Sequence, residues 1–208
     1  MSTRVKICGC RTPRDIHAAC LSGADAVGFI FAPSSARVEV EQAAELLREV
    51  PSSVTPVAVF ANPLFSDVDA IRSLCPRIVI QLSGTERPDF CERIGGEILK
   101  VIAVDGNPSA ANLQKRAAAY SAPVLFDTKR PGRFGGTGIS FDWRLLRGIS
   151  LDRPFSVAGG LQAENVGSCI RLLRPHGVDV RSGVETNGRK DEAKMRTFIR
   201  AVREADAS

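Results

Sequence analysis

Arg4-Val5-Lys6-Ile7-Cys8-Gly9-Cys10-Arg11-Thr12-Pro13-Arg14-Asp15, followed by Ala26-Val27-Gly28-Phe29-Ile30-Phe31, reads as a strand, a helix start and a second strand. Val5–Cys8 and Ala26–Phe31 are short and apolar, as parallel strands covered on both faces are. Thr12 places a capping hydroxyl directly before a first-turn proline, which opens a helix between them. Working outward, the same unit recurs. Further runs lie at Thr55–Phe60, Ile78–Leu82, Ile98–Val104, Pro123–Thr128, Phe155–Gly160 and Val178–Ser182, making eight in all. Helical stripes separate most of them: Val40, Ala43, Ala44 and Leu47; Leu64, Val68, Ile71 and Cys75; Val166, Cys169, Ile170 and Leu173; Met195, Phe198, Ile199 and Val202. Asn107-Pro108 reads as a second helix start. The segment after Phe141 is short, and the stripe at Phe90–Ile94 is weak.

Eight strand–helix units close into a barrel or lie in an open doubly wound sheet. The open sheet would carry G-x-G-x-x-G or a P-loop lysine at a strand-to-helix turn, and neither is present. The pattern therefore predicts a single-domain (β/α)8 TIM barrel over residues 1–208. No linker, low-complexity tract or charge block divides the chain.

Composition narrows the function classes. Of 208 residues, 44% are hydrophobic and 25% charged, the balance of a globular domain and not of a disordered one. No apolar run reaches the roughly 20 residues that cross a bilayer, and the start has no signal-peptide core. The expectation is a cytoplasmic protein with reduced cysteines and no membrane partner. The six cysteines form no paired metal spacing, and His17 and His176 supply no second cluster, so neither metal nor cofactor is expected. A net charge of +5 suits an anionic small molecule; without interleaved aromatics it does not read as a nucleic-acid surface.

Barrel chemistry collects where strands end, which singles out a few positions. Cys8 ends the first strand and reads either as a small buried hydrophobe or as a working thiol. Asp127 ends the sixth after three apolar residues, as a loop cap or as a functional carboxyl. Arg37, in the loop after the second strand, is a solvated charge or a clamp on a substrate carboxylate. The loop that follows Asp127 carries Lys129, Arg130, Arg133, Gly135 and Gly136, which suit an anion and close backbone approach. Gly159-Gly160 and Ser182-Gly183 follow strands seven and eight, the usual place for a phosphate site.

At these residues the sequence resembles the phosphoribosylanthranilate isomerases. The likeness runs through Val5-Lys6-Ile7-Cys8-Gly9, Gly23 to Phe31, Arg37, Val59-Phe60-Ala61-Asn62 and Gln81-Leu82. It continues with Asp127, Gly135 to Gly138, Phe141-Asp142-Trp143, Ala158 to Leu161, Asn165-Val166, Val178-Asp179-Val180, Ser182 to Glu185 and Lys190-Asp191. The resemblance implies a tryptophan-pathway Amadori rearrangement of a phosphoribosyl aminoaldose to an aminoketose, with Cys8 as general base and Asp127 as general acid. It implies a phosphorylated small-molecule substrate and a monomer or homodimer. Three positions depart from the family's usual pattern: Ser83 replaces a histidine, Ala103 an arginine and Ala36 a proline.

Two other readings stay open. One is the histidine-pathway isomerase of the same fold or a sugar-phosphate isomerase of specialised metabolism. The histidine-pathway enzyme resembles a duplicated half-barrel with aspartates as both base and acid; here Cys8 ends the first strand and no half-repeat is visible. The other is a non-catalytic phosphate-binding barrel, which would have no use for an acid–base pair.

Overall fold

Alternation along each strand decides which side chains meet inside the barrel and which meet the helices. The computed structural model describes residues 2–106, 108–128 and 141–208. Eight parallel strands close in sequence order: β1 (Arg4–Cys8), β2 (Ala26–Ile30), β3 (Thr55–Phe60), β4 (Val79–Leu82), β5 (Ile98–Val104), β6 (Val124–Thr128), β7 (Phe155–Val157) and β8 (Gly177–Val180). β8 pairs with β1 to complete the ring, with Lys6 beside Asp179. Helices α1 (Pro13–Leu21), α2 (Val40–Arg48), α3 (Phe65–Leu74), α4 (Pro88–Ile94), α5 (Ala110–Ala118), α6 (Ala163–Leu173) and α7 (Glu192–Asp206) surround it. After β6 the described residues supply a 3-10 turn, Trp143–Leu146, in place of a helix. None of the described helices is long and apolar enough to cross a membrane.

The expected helix starts are partly realised. Thr12 Oγ1 accepts the Asp15 amide at 3.2 Å while Asp15 accepts the Thr12 amide at 3.0 Å, so two orphan donors are satisfied reciprocally. Asn107 lies outside the described residues; α5 is capped by Ser109, which accepts the Asn112 amide at 3.2 Å. Two stripe residues face solvent instead of the core. Leu64 stands before α3, outside its buried Val68–Ile71 face, and Val40 is the first residue of α2, whose buried face is Ala43, Leu46 and Leu47.

Two strands end two or more residues before their apolar runs do. β7 stops at Val157 because Gly159 and Gly160 take φ of +86° and +65°, a backbone that leaves the sheet. β8 stops at Val180, after which Ser182–Val184 forms a 3-10 turn leading to a small hairpin, β9 (Glu185–Thr186) with β10 (Arg189–Lys190).

Val5, Ile7, Ile80, Leu82, Phe126, Val178 and Val180 face the helices in the main core. Their neighbours Lys6, Cys8, Gln81, Asp127 and Asp179 are therefore turned inward. Two small apolar clusters share that interior, one around Cys8, Ile30, Val57 and Val59 and another around Val101, Leu125 and Ala158.

A second buried ion pair lies outside the barrel wall. Lys100 of β5 donates to Glu86 at 2.6 Å and to the carbonyls of Gly84 and Leu82 at 2.9 and 3.2 Å. The other Glu86 oxygen accepts the amides of Asn62 at 2.6 Å and Gly84 at 3.0 Å, so one carboxylate ties the loops after β3 and β4 together. Lys100→Met strands that carboxylate without its cation. Unfolding in urea is expected to show a loss of about 3–5 kcal/mol; a loss under 1 kcal/mol would mean that water reaches the site.

Candidate active site

The barrel opens at the C-terminal strand ends into a cavity of about 850 Å³ including its mouth. Cys8, Asp127, Gly159, Gly160 and Ser182 all line it, joined by Gln81, Ser83, Ala103, Thr128, Asp179 and Arg181. Five of the positions singled out from sequence thus share one space. Gly183 lies directly behind the wall. A Cβ there would sit 2.0 Å from the Leu161 carbonyl oxygen, so the loops after β7 and β8 touch backbone to backbone. Gly183→Ala must part these loops. If they bind phosphate, KM should rise about tenfold, the equivalent of the 1–3 kcal/mol typical of overpacking, with kcat changing less. Steady-state kinetics separates the two.

Two positions fall elsewhere. Arg37 is absent from the cavity wall; it is half exposed and its guanidinium pairs with Glu39 at 3.1 Å. Gly135 and Gly136 lie outside the described residues, as do Lys129, Arg130 and Arg133.

Lys6 organises the floor beneath the cavity. It is buried and donates to Asp179 at 2.7 Å and to Gln81 at 2.9 Å. Burial works against its charge, but Asp179 and Cys8 together outweigh that and raise its pKa above the ordinary lysine value. The space for the Cys8 thiol comes from Gly28 on the neighbouring strand, where a Cβ would lie 3.1 Å from Cys8 Sγ and 2.9 Å from Lys6 Cε. Burial pushes the Cys8 thiol above its usual pKa, and the Lys6 ammonium opposes that shift. Cys10 is wholly buried against the helices, and burial pushes it up to about 12, so its thiol stays neutral.

Asp127 stands across the cavity on β6, paired in register with Ala103. Burial raises its carboxyl to about 7; the neighbouring Asp179 charge adds to this, while Lys6 and the Thr128 amide work against it. A carboxyl that holds its proton near neutrality can donate it, and a thiolate beside an ammonium can accept one. The arrangement is suited to moving two protons on one bound molecule. Lys6 and Asp179 have a sequence signature: each is a charge between two apolar neighbours in a strand, Val5 and Ile7 in one case and Val178 and Val180 in the other. Arg181 has none, because it follows the last strand residue and its direction depends on the turn.

Known proteins share this fold. The profile of the N-(5'phosphoribosyl)anthranilate (PRA) isomerase family matches residues 5–201. The N-(5'-phosphoribosyl)anthranilate isomerase of Desulforamulus reducens is 43% identical over 204 residues, covering 97% of this chain and 95% of that protein. The crystal structure of phosphoribosyl anthranilate isomerase from Thermotoga maritima superposes with a TM-score of 0.86 at 34% identity, covering 97% of this chain and 99% of that one. A structure of such an isomerase in complex with reduced 1-(o-carboxyphenylamino)-1-deoxyribulose 5-phosphate gives a TM-score of 0.83 at 32% identity, with the same coverage. The chain belongs to the N-(5'-phosphoribosyl)anthranilate isomerase family.

Proposed function

We propose that this chain catalyses the Amadori rearrangement of N-(5-phosphoribosyl)anthranilate to 1-(2-carboxyphenylamino)-1-deoxyribulose 5-phosphate in tryptophan biosynthesis, as a single domain in the cytoplasm. Family membership supplies the reaction. The observation that supports it here is a thiol from β1 and a near-neutral carboxyl from β6 facing one cavity beside two glycine loops.

The chemistry needs one acid and one base. Asp127 gives its proton to the ring oxygen of the sugar, the C1–O bond breaks, and the nitrogen lone pair forms an iminium. Cys8, as thiolate, then removes the C2 proton, and the electrons of that bond neutralise the iminium to an enolamine. Tautomerisation of the enol delivers a proton to C1 and leaves the ketone at C2. Lys6 steadies the thiolate, and Asp179 holds Lys6 in place. The phosphate sits at Gly159-Gly160 and Ser182-Gly183; Gly135 and Gly136 join the substrate-binding residues on the sequence resemblance, and Arg37 serves at the rim.

Complementation tests this reading. The gene should restore growth without tryptophan to a strain lacking this isomerisation, and should leave a histidine auxotroph blocked at the corresponding step unable to grow. Failure in the tryptophan strain, with the protein expressed, refutes it.

A further inference from the structure

We infer that the barrel has a second ligand site at its opposite end, built for a small aromatic carboxylic acid. A cavity of about 850 Å³, its mouth included, opens there at the N-terminal strand ends. It is separate from the cavity that Cys8 and Asp127 line; among the described residues only Asp179 lines both. No step of the rearrangement takes place in it.

The hole follows from the sequence. A TIM barrel normally fills its interior with layers of bulky, branched side chains. Here the inward positions low on β2, β7 and β8 are Ala26, Ser156 and Gly177, and all three line the cavity. Val57, Val79 and Leu125 close the far side from β3, β4 and β6, so the walls are mostly apolar. The Lys6–Asp179 pair forms the roof, each charge already answered by the other at 2.7 Å. Such a hole favours an apolar guest over water, which needs several polar partners to stay.

The rim supplies the charge. Arg4 opens β1 and is exposed; Nη2 donates to Thr55 Oγ1 at 3.2 Å, and the guanidinium makes no ion pair among the described residues. The Arg4 amide donates to the His176 carbonyl at 2.9 Å, which sets the exposed His176 beside it. Because β1 lies between β8 and β2 in the ring, Arg4 stands over the side that the small residues leave open. Glu97, the acidic residue of the rim, precedes β5 and so stands across the ring from Arg4. A carboxylate is therefore drawn to the Arg4 side, where guanidinium donors can pair with both of its oxygens. The ring it carries then fills the hole beneath the Lys6–Asp179 roof.

Calorimetry with benzoate tests this, with benzyl alcohol as a matching body that lacks the carboxylate. The upper cavity is first filled with reduced 1-(o-carboxyphenylamino)-1-deoxyribulose 5-phosphate, so that only the lower end is open. Benzoate is expected to bind wild type once per chain under these conditions. Ser156→Leu and Val79→Phe plug the lower cavity from two different strands. Each should weaken both ligands at least about tenfold, the cost typical of overpacking. Arg4→Met should weaken benzoate by about three- to fivefold, the worth of an exposed ion pair, and leave benzyl alcohol unchanged. Thermal midpoints identify the plug variants that still fold. Absence of benzoate binding with the upper cavity filled overturns the inference. So does undiminished binding in a folded plug variant, or an Arg4→Met protein that weakens both ligands alike. A wild type that fails to bind the reduced product analogue refutes the proposed activity instead, and the plug variants then decide the lower site.

Discussion

Cys8→Ser is expected to lower kcat/KM by ~10²–10⁴-fold, the usual worth of a positioned general base. The thiol is one atom exchanged for a smaller one in a site shaped for it by Gly28, so shape changes little. What changes is acidity. Burial already holds the Cys8 pKa above its ordinary value, and the Lys6 ammonium recovers part of the thiolate. A serine hydroxyl starts several units higher, and the same ammonium cannot bring it within range of neutral pH. The loss should fall on kcat, because the C2 proton is touched only in the transition state. Affinity for the reduced product analogue and the thermal midpoint should stay near wild type, since the phosphate loops and the helix-facing core are untouched. A variant within a few-fold of wild type would make the thiol structural and move the base to Asp179, which also faces the cavity.

The reach of the sequence follows from what each signal depends on. Strands β3 and β5 run over Thr55–Phe60 and Ile98–Val104, as their apolar runs predict, because a buried parallel strand needs little beyond local pattern. The place of Cys8 and Asp127 on the cavity wall was legible for the same reason: in a barrel, a residue at the C-terminal end of an apolar strand stands at the mouth. Leu64 misled because stripe arithmetic does not say where a helix begins; α3 starts one residue later, at Phe65, and leaves it exposed. Arg37 shows a different limit. Its place in the loop after β2 is as expected, but a long side chain chooses its partner in space, and Glu39 lies two residues away. Arg181 shows the converse, since the turn after β8 carries it to Ser35, 146 residues distant in sequence. Loop cations are the part of a barrel site that local pattern cannot orient.

Asp127→Asn is expected to cost a comparable factor in kcat/KM, and its signature lies in pH. The productive form pairs a Cys8 thiolate with a neutral Asp127. With Asp127 near 7 and Cys8 above its ordinary pKa, that form is a minority at every pH. Its share rises about tenfold per pH unit below the Asp127 value, holds level between the two, and falls above the thiol's, the two limbs belonging to the coupled pair. Asparagine removes the lower break, so the residual activity of the variant should keep rising through pH 7, where wild type levels off. Stability gives an independent readout. Because the folded carboxyl binds its proton up to about 7 and the unfolded one only to about 3.8, the folded state holds more protons across that window. Wild-type stability from this group is therefore complete below pH 3.8 and lost as pH rises toward 7. Asparagine never ionises, so the thermal midpoint of the variant should gain on wild type between pH 4 and pH 8. An amide variant whose midpoint tracks wild type across that range would mean that Asp127 ionises freely. Asp127 could then not hold a proton for the ring oxygen at neutral pH.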